Sequence, residues 1–179
     1  MTLAVMLGTL LGSTLVGSTA TLEVDKAKSK IQVAAKATGH EFTGTLTDYT
    51  ITASGAEATL KPTALELSWT FKNLKTADDG RDAEMIKWLG GGTPKGSYKF
   101  VKMWSKAGVD YAEGTLTIHG VAKTVQIPLT VKKDGDIVTT SGKVEIDYTD
   151  FSLPLVRAML VMTVNPKLTI SFTVVGKVK

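Results

Sequence analysis

The stretch ALELSWTFKNL, Ala64–Leu74, puts Leu65, Leu67, Trp69 and Phe71 on one face of an extended chain. Glu66, Ser68, Thr70 and Lys72 fall on the other. Alternation with a period of two residues marks a half-buried strand. The pattern recurs in KVEIDY, where Val144, Ile146 and Tyr148 oppose Lys143, Glu145 and Asp147. It recurs again in KLTISFTVVGKV, where Leu168, Ile170, Phe172 and Val174 oppose Lys167, Thr169, Ser171 and Thr173. Further strand candidates are 30–37, 42–51, 58–60, 98–106, 111–118 and 125–132. Polar, glycine-containing turns (ASGAE, KAGVD, HGVAK, KKDGD) separate them, as hairpins require. Near Gly39 the alternation changes phase, from Ala35 and Ala37 to His40, Phe42 and Gly44, which predicts a bulge or sharp bend.

One segment reads as helix, ADDGRDAEMIKWLGGG. Asp78 or Asp79 can cap it, and Gly90–Gly92 stop it. Met85, Trp88 and Leu89 share a face. A single short helix cannot support a two-layer α/β design, but it can plug one end of a barrel. The expectation is an all-β single domain of eight or more antiparallel strands. Closure into a barrel is favoured because it removes exposed edges, and a β-sandwich is the alternative.

The chain has 179 residues, 43% hydrophobic and 21% charged, which suits one folded domain with its own core. The net charge of +4 comes without a basic run interleaved with aromatics, so no nucleic-acid partner is expected. The absence of cysteine excludes disulfides, thiolate nucleophiles and cysteine-based zinc sites. Residues 1–20, MTLAVMLGTLLGSTLVGSTA, are uncharged and apolar and end in small side chains. They read as a secretory signal peptide without a positive n-region, leaving a domain of residues 21–179; the alternative is an apolar first strand.

Catalytic and metal signatures are weak. His40 and His119 lack partners at metal-ligand spacing, and no GxSxG motif accompanies the serines. His119 sits at a strand end beside a glycine and reads as structural. His40 lies at the predicted bend and is a candidate ligand contact. Asp78, Asp79, Asp82 and Glu84 read as capping and first-turn charges. Trp69, Phe71, Trp88, Phe100, Trp104 and Phe172 serve either as core or as the wall of a pocket.

The arginines are more informative. Only Arg81 and Arg157 stand against nineteen lysines. Arg157 lies inside LPLVRAMLVMTV, Leu153–Val164, the most apolar segment after the leader. A guanidinium is a rigid fork for phosphate or carboxylate. The two arginines therefore either meet an anionic ligand head at a barrel mouth or pair locally, Arg81 with Asp78 or Asp82 and Arg157 with Asp147, Asp150 or a carbonyl. The apolar run around Arg157 reads as a strand buried on both faces, a rim loop or an exposed patch.

The segment EGTLTIHGVAKTVQIPLTV, Glu113–Val131, resembles the signature hairpin of the YceI-like family. LEVDKAKSKIQVAAKATGHEFTG, DGRDAEM, PKGSYKFVKMW and KVEIDYTDFSL are similar, in order, to other pieces of that family. Two departures are Glu84, where the family usually carries histidine, and IKWLGGG at the helix end. The resemblance implies an eight-stranded antiparallel lipocalin-like barrel, exported to the periplasm or secreted, that holds an isoprenoid or similar amphipathic lipid; the missing catalytic and metal motifs add the expectation of no cofactor, no metal and no catalysis. On that reading the candidate ligand contacts are His40, Phe42, Leu67, Trp69, Phe71, Arg81, Met85, Trp88, Phe100, Arg157 and Phe172, chosen by strand phase, the predicted bend, the helix face and the scarcity of arginine. A second copy of the chain and a transient membrane contact are further expected partners. The rival readings are a lipid hydrolase or isomerase using His40 as base, and an interaction module using the 153–164 patch.

Overall fold

A computed structural model describes residues 19–56, 61–158 and 162–179. Residues 1–18 of the expected 1–20 leader, the strand candidate at 58–60 and the centre of the apolar run at 159–161 lie outside the described residues, while Thr19 and Ala20 open the first strand. The strands are β1 (Thr19–Val24), β2 (Lys30–Ala37), β3 (His40–Leu46), β4 (Thr50–Ala56), β5 (Lys61–Thr70), β6 (Leu74–Lys75) and β7 (Lys95–Lys106). They continue with β8 (Val109–Ile118), β9 (Val121–Asp134), β10 (Ile137–Asp147), β11 (Arg157–Ala158), β12 (Met162–Thr163) and β13 (Lys167–Val178). The helix α1 spans Asp79–Trp88.

Eight of these strands close a ring in the order β1, β4, β5, β7, β8, β9, β10, β13. Every neighbour is antiparallel, and β13 returns to β1 through Leu22↔Val178 and Val24↔Gly176. The barrel therefore has no free edge in its ring, which is the physical advantage that favoured closure over a sandwich. Three further strands extend the wall on one side. β2 continues β1 along β13, β3 pairs with β2, and β6 pairs with β3.

Chain direction gives the barrel two distinct ends. At one end sit α1 and the segment between β10 and β13; this is the helix end. At the far end lie the β7–β8 and β9–β10 hairpins and both chain termini of the ring, β1 and β13. A buried apolar cluster including Leu46, Phe71, Leu74, Leu89, Ile118, Ile146, Tyr148, Phe151 and Leu153 gathers at the helix end.

Some local expectations are corrected. The phase shift at Gly39 is a two-residue hairpin turn, with Ala37 paired to His40 and Gly39 at φ 84°. The register irregularities fall instead between Ser54 and Gly55 and between Phe100 and Lys102. The single strand expected over 42–51 is broken at Thr47–Tyr49, where Thr47 bonds out to the Asn73 carbonyl. Leu65, Leu67 and Trp69 do share one face, but Phe71 leaves the strand in a short 3₁₀ turn and is buried there. Trp104 faces outward and stacks on Tyr111 at 4.5 Å.

On the inner wall, large rings lie against glycines of neighbouring strands. A Cβ placed on Gly96 would fall 2.3 Å from the Trp69 ring, and Trp69 and Gly96 are cross-strand partners. Gly142 stands in the same relation to Phe172, and Gly114 accommodates the Tyr98 ring. Gly96→Ala should therefore push the Trp69 ring off the wall. We expect it to lower unfolding free energy by about 1–3 kcal/mol, the usual cost of overpacking. Urea titration measures the loss, tryptophan emission reports the ring's new environment, and Trp69→Ala in the same chain should recover most of the difference.

Candidate functional site

Alternation sends one apolar set inward from every strand of the ring. In a filled barrel those side chains would be fully buried. Here Ile51, Leu65, Leu67, Trp69, Phe100, Leu168, Ile170 and Phe172 remain partly exposed although they face the lumen. They surround a cavity of about 740 Å³. That size lies within the range of small-molecule pockets.

The cavity reaches solvent at the helix end. Glu84 and Lys87 of α1 line it and are exposed, as are Leu155 and Arg157 on the opposite side. The mouth thus lies between α1 and the segment that follows β10. Both sides of this mouth are held by polar contacts to a packed base. Asp78 caps α1 by accepting from the Arg81 backbone N–H at 2.9 Å. Asp82 is buried and accepts from the Thr76 N–H at 3.0 Å and the Thr76 hydroxyl at 2.7 Å, with Lys75 Nζ at 3.6 Å. It ties the helix to the strand that precedes it.

The other side hangs on Tyr148, which is 2% exposed. Its hydroxyl accepts from the Val156 N–H at 3.1 Å and donates to the Val164 carbonyl at 3.0 Å. Trp88 Nε1 donates to the Pro154 carbonyl at 2.9 Å, and its ring meets Tyr148 edge-on at 5.1 Å. These contacts join helix and rim segment into one frame.

A family profile described as YceI-like domain matches residues 22–176. The chain belongs to the YceI-like family. No curated protein matches it. Among solved structures, Burkholderia cenocepacia BcnA is similar with a TM-score of 0.72 at 19% identity, covering 86% of this chain and 99% of that one. The Campylobacter jejuni YCEI protein is similar with a TM-score of 0.60 at 19% identity, covering 76% of this chain and 84% of that one. A mutant of the same Campylobacter protein carries a monobromobimane guest structure, with a TM-score of 0.60 at 18% identity over 76% of this chain and 84% of that one. At these identities the likeness is one of fold, an eight-stranded antiparallel barrel with one helix.

In this YceI-like barrel the suggested contact residues can be placed one by one. Phe42, Leu67, Trp69, Phe71, Phe100 and Phe172 line the cavity from the wall, and Arg81, Met85 and Trp88 line it from α1. Arg157 lines it from β11. His40 is the exception and lies outside the cavity lining. It shares the inward phase of Phe42, but it opens β3 at a hairpin tip, beyond the lip of the barrel, so it is exposed and its ring stands 6.0 Å from that of Phe42. His119 occupies a left-handed turn position at φ 52° beside Gly120, outside the cavity lining.

The two arginines take different environments. Arg81 pairs with Asp78 Oδ2 at 3.1 Å, and its guanidinium lies 4.4 Å from the centre of the Phe42 ring. The local-pairing reading therefore holds for Arg81, although the side chain also borders the mouth. The Arg81 backbone N–H, then its guanidinium, holds the Asp78 carboxyl below its ordinary range. Arg157 is exposed, and among the described residues no carboxylate lies within ion-pair distance of it. Asp147, one of its expected partners, instead accepts from Thr149.

The apolar run resolves as a rim segment. Leu153 is buried, Val156 and Val164 pack on the core, Leu155 is 44% exposed, and β11 pairs with β12 in a short hairpin. Sequence reasoning missed Tyr148 as the anchor of this segment, because alternation shows only that a side chain points inward. It also missed Tyr98, whose hydroxyl is buried without a hydrogen-bond partner among the described residues. Burial first, and the Glu113 charge second, push that hydroxyl up to about 12, so it stays neutral.

Tyr148→Phe should keep the ring packing while stranding the Val156 N–H and the Val164 carbonyl. We expect a stability loss of about 1–3 kcal/mol from the unsatisfied buried groups. Amide hydrogen exchange should show Val156 and Val164 losing protection before the barrel strands do.

Proposed function

We propose that this protein is a non-covalent lipid binder that holds an isoprenoid or similar amphipathic chain in its lumen, with the anionic or polar head at the helix-end mouth. One observation carries the reading. An apolar cavity of about 740 Å³ inside the barrel extends to a mouth bordered by Arg157 and Arg81. Burying a chain there gains about 0.8 kcal/mol per methylene, so a long apolar tail supplies the affinity and the mouth orients the head. Neither histidine lines the cavity, which favours binding over hydrolysis or isomerisation with His40 as base.

Export is part of the proposal. It rests on the uncharged apolar residues 1–20 ending in Ser-Thr-Ala. Cleavage after Ala20 leaves the β1–β13 pairs from Leu22 onward intact but removes Thr19 and Ala20, two of the three β1 residues paired with β4. Sequencing of the protein's amino terminus from secreted or periplasmic material should begin near Thr21. Soluble cytoplasmic protein retaining residues 1–20 would exclude export.

The binding reading is tested by organic extraction of the purified protein followed by mass spectrometry, where a stoichiometric prenyl lipid is expected. Head recognition is tested at Arg157. Arg157→Met keeps length and apolarity while removing the fork. A charge-assisted contact contributes roughly 1.5–3 kcal/mol, so phosphorylated isoprenoids should bind about ten- to hundredfold more weakly and neutral ones almost unchanged. Arg157→Lys should restore part of the loss. A fall in thermal stability with no change in ligand preference would make Arg157 a structural residue.

A further inference from the structure

Every strand of the ring has two partners, but several of its ladders stop while both strands run on. β1 and β4 part beyond Thr21↔Ser54, and there β2 and β3 take up the wall. β9 and β10 pair only from Leu129↔Gly142 to Asp134↔Ile137 and part toward the helix end. There the 3₁₀ turn Tyr148–Phe151 packs against β9, with Phe151 1% exposed. β5 and β7 pair only from Thr70↔Lys95 to Glu66↔Lys99 and part toward the far end. Beyond that last rung β5 reaches back to Lys61, and β7 stays paired with β8 as far as Lys106↔Val109. Among the described residues β5 and β7 pack mainly on β4, on β8 and on each other, so this parting has no strand or turn set into it as the other two have.

Both of its sides carry a register shift. One falls between Phe100 and Lys102, just past the last rung, and the other at Gly55, which pairs with Pro62 of β5. A bulge bends its strand and sharpens the local twist, and bulges gather at barrel rims and beside sites. Leu65 and Phe100, next to the last rung, line the cavity and are half-buried, while Val101 is 58% exposed. The lysines beside them are paired, Lys99 with Glu66 at 2.9 Å and Lys102 with Glu113 at 3.2 Å. Next to the rung the rim is therefore apolar, whereas the helix-end mouth is bordered by Arg81, Glu84, Lys87 and Arg157.

We infer that the parting between β5 and β7 is a lateral portal through which an apolar chain enters and leaves the lumen. The inference rests on the lipid-binding reading and adds a route to it. A tail passing between Leu65 and Phe100 moves along apolar surface into the cavity. A tail passing the mouth must displace water from charged side chains, and desolvating charge is costly.

The chain has no cysteine, so a cysteine pair placed across the portal is the sole target of a thiol reagent. Continued past its last rung, the β5–β7 register sets Ala64 opposite Val101. Ala64→Cys with Val101→Cys, joined by a short bismaleimide, closes the portal. Glu84→Cys with Leu155→Cys, joined likewise, narrows the mouth. Transfer of radiolabelled geranylgeraniol from each loaded protein to phosphatidylcholine vesicles gives the release rate, and equilibrium titration gives Kd. Closing the portal should slow uptake and release alike by about tenfold or more and leave Kd in place, because obstructing a route raises the barrier equally in both directions. Single-cysteine variants capped with N-ethylmaleimide should exchange like the unaltered protein. If the bridge does not form, streptavidin bound to biotin on Val101→Cys covers the portal and decides alone. Exchange that is unchanged with the portal closed or covered, or that slows only when the mouth is bridged, overturns the portal and leaves the lipid reading standing. Failure of the unaltered protein to bind geranylgeraniol overturns the lipid reading and the portal with it.

Discussion

The lumen stays open because its largest rings lie flat against the wall. An eight-stranded barrel is only just wide enough for its own side chains to fill. Trp69, Tyr98 and Phe172 would block it if they projected toward the axis. Each instead occupies the space that a Cβ would take on Gly96, Gly114 or Gly142. The glycines give up β propensity, and the rings recover contact area by covering them. The same arrangement leaves Leu67, Ile170 and their neighbours facing a void, so a full share of core burial is lost there. Closure offsets this loss, because every strand of the ring pairs on both sides.

With a hollow centre, apolar packing must be concentrated elsewhere, and it is concentrated at the helix end. Three polar contacts fix that end. Asp82 holds α1 to Thr76, Tyr148 holds Val156 and Val164, and Trp88 bridges helix to rim through Pro154. Each pairs a buried or partly buried polar group with a backbone or hydroxyl partner, as burial demands. The adjacent residues Arg81 and Asp82 therefore do separate jobs. Asp82 faces the base of the helix and anchors it, while Arg81, one residue earlier, is carried to the mouth.

The fold was legible because alternation is a strong local signal. Leu65, Leu67 and Trp69 face inward as their spacing predicts, and so do Leu168, Ile170, Phe172 and Val174. Turn chemistry was legible at the Gly108, Gly120 and Gly135 hairpins and at the Gly90–Gly92 stop after α1, whereas ASGAE misled, since Ala53–Ala56 stay in β4 and Gly55 sits at a register shift. The hollow was not. Whether an inward Trp69 fills the lumen or lies on the wall depends on Gly96, twenty-seven positions away in sequence and adjacent only across the sheet. Gly39 misled for a related reason: a change of phase between two strand patterns looks the same for a bulge as for a tight hairpin. His40 carried the inward phase but sits past the lip, and phase says nothing about height along the barrel axis.

The scarcity of arginine now acquires a physical sense. Many of the lysines lie on the outer wall in exposed pairs, such as Lys99 with Glu66 and Lys167 with Glu145, which contribute little to stability. The charged residues that line the cavity are Arg81, Glu84, Lys87 and Arg157. Lys87 is paired with Glu84 at 2.6 Å, and Arg81 with Asp78 at 3.1 Å. Among the described residues, this leaves Arg157 as the lining charge without a counter-charge. A single uncompensated guanidinium beside a low-dielectric lumen makes the mouth attractive to anions, since apolar walls focus its field. The rim segment's apolar sequence serves that arrangement. Leu153 and Val156 fasten the backbone to the core, and the next side chain can then be held at the opening with its charge exposed.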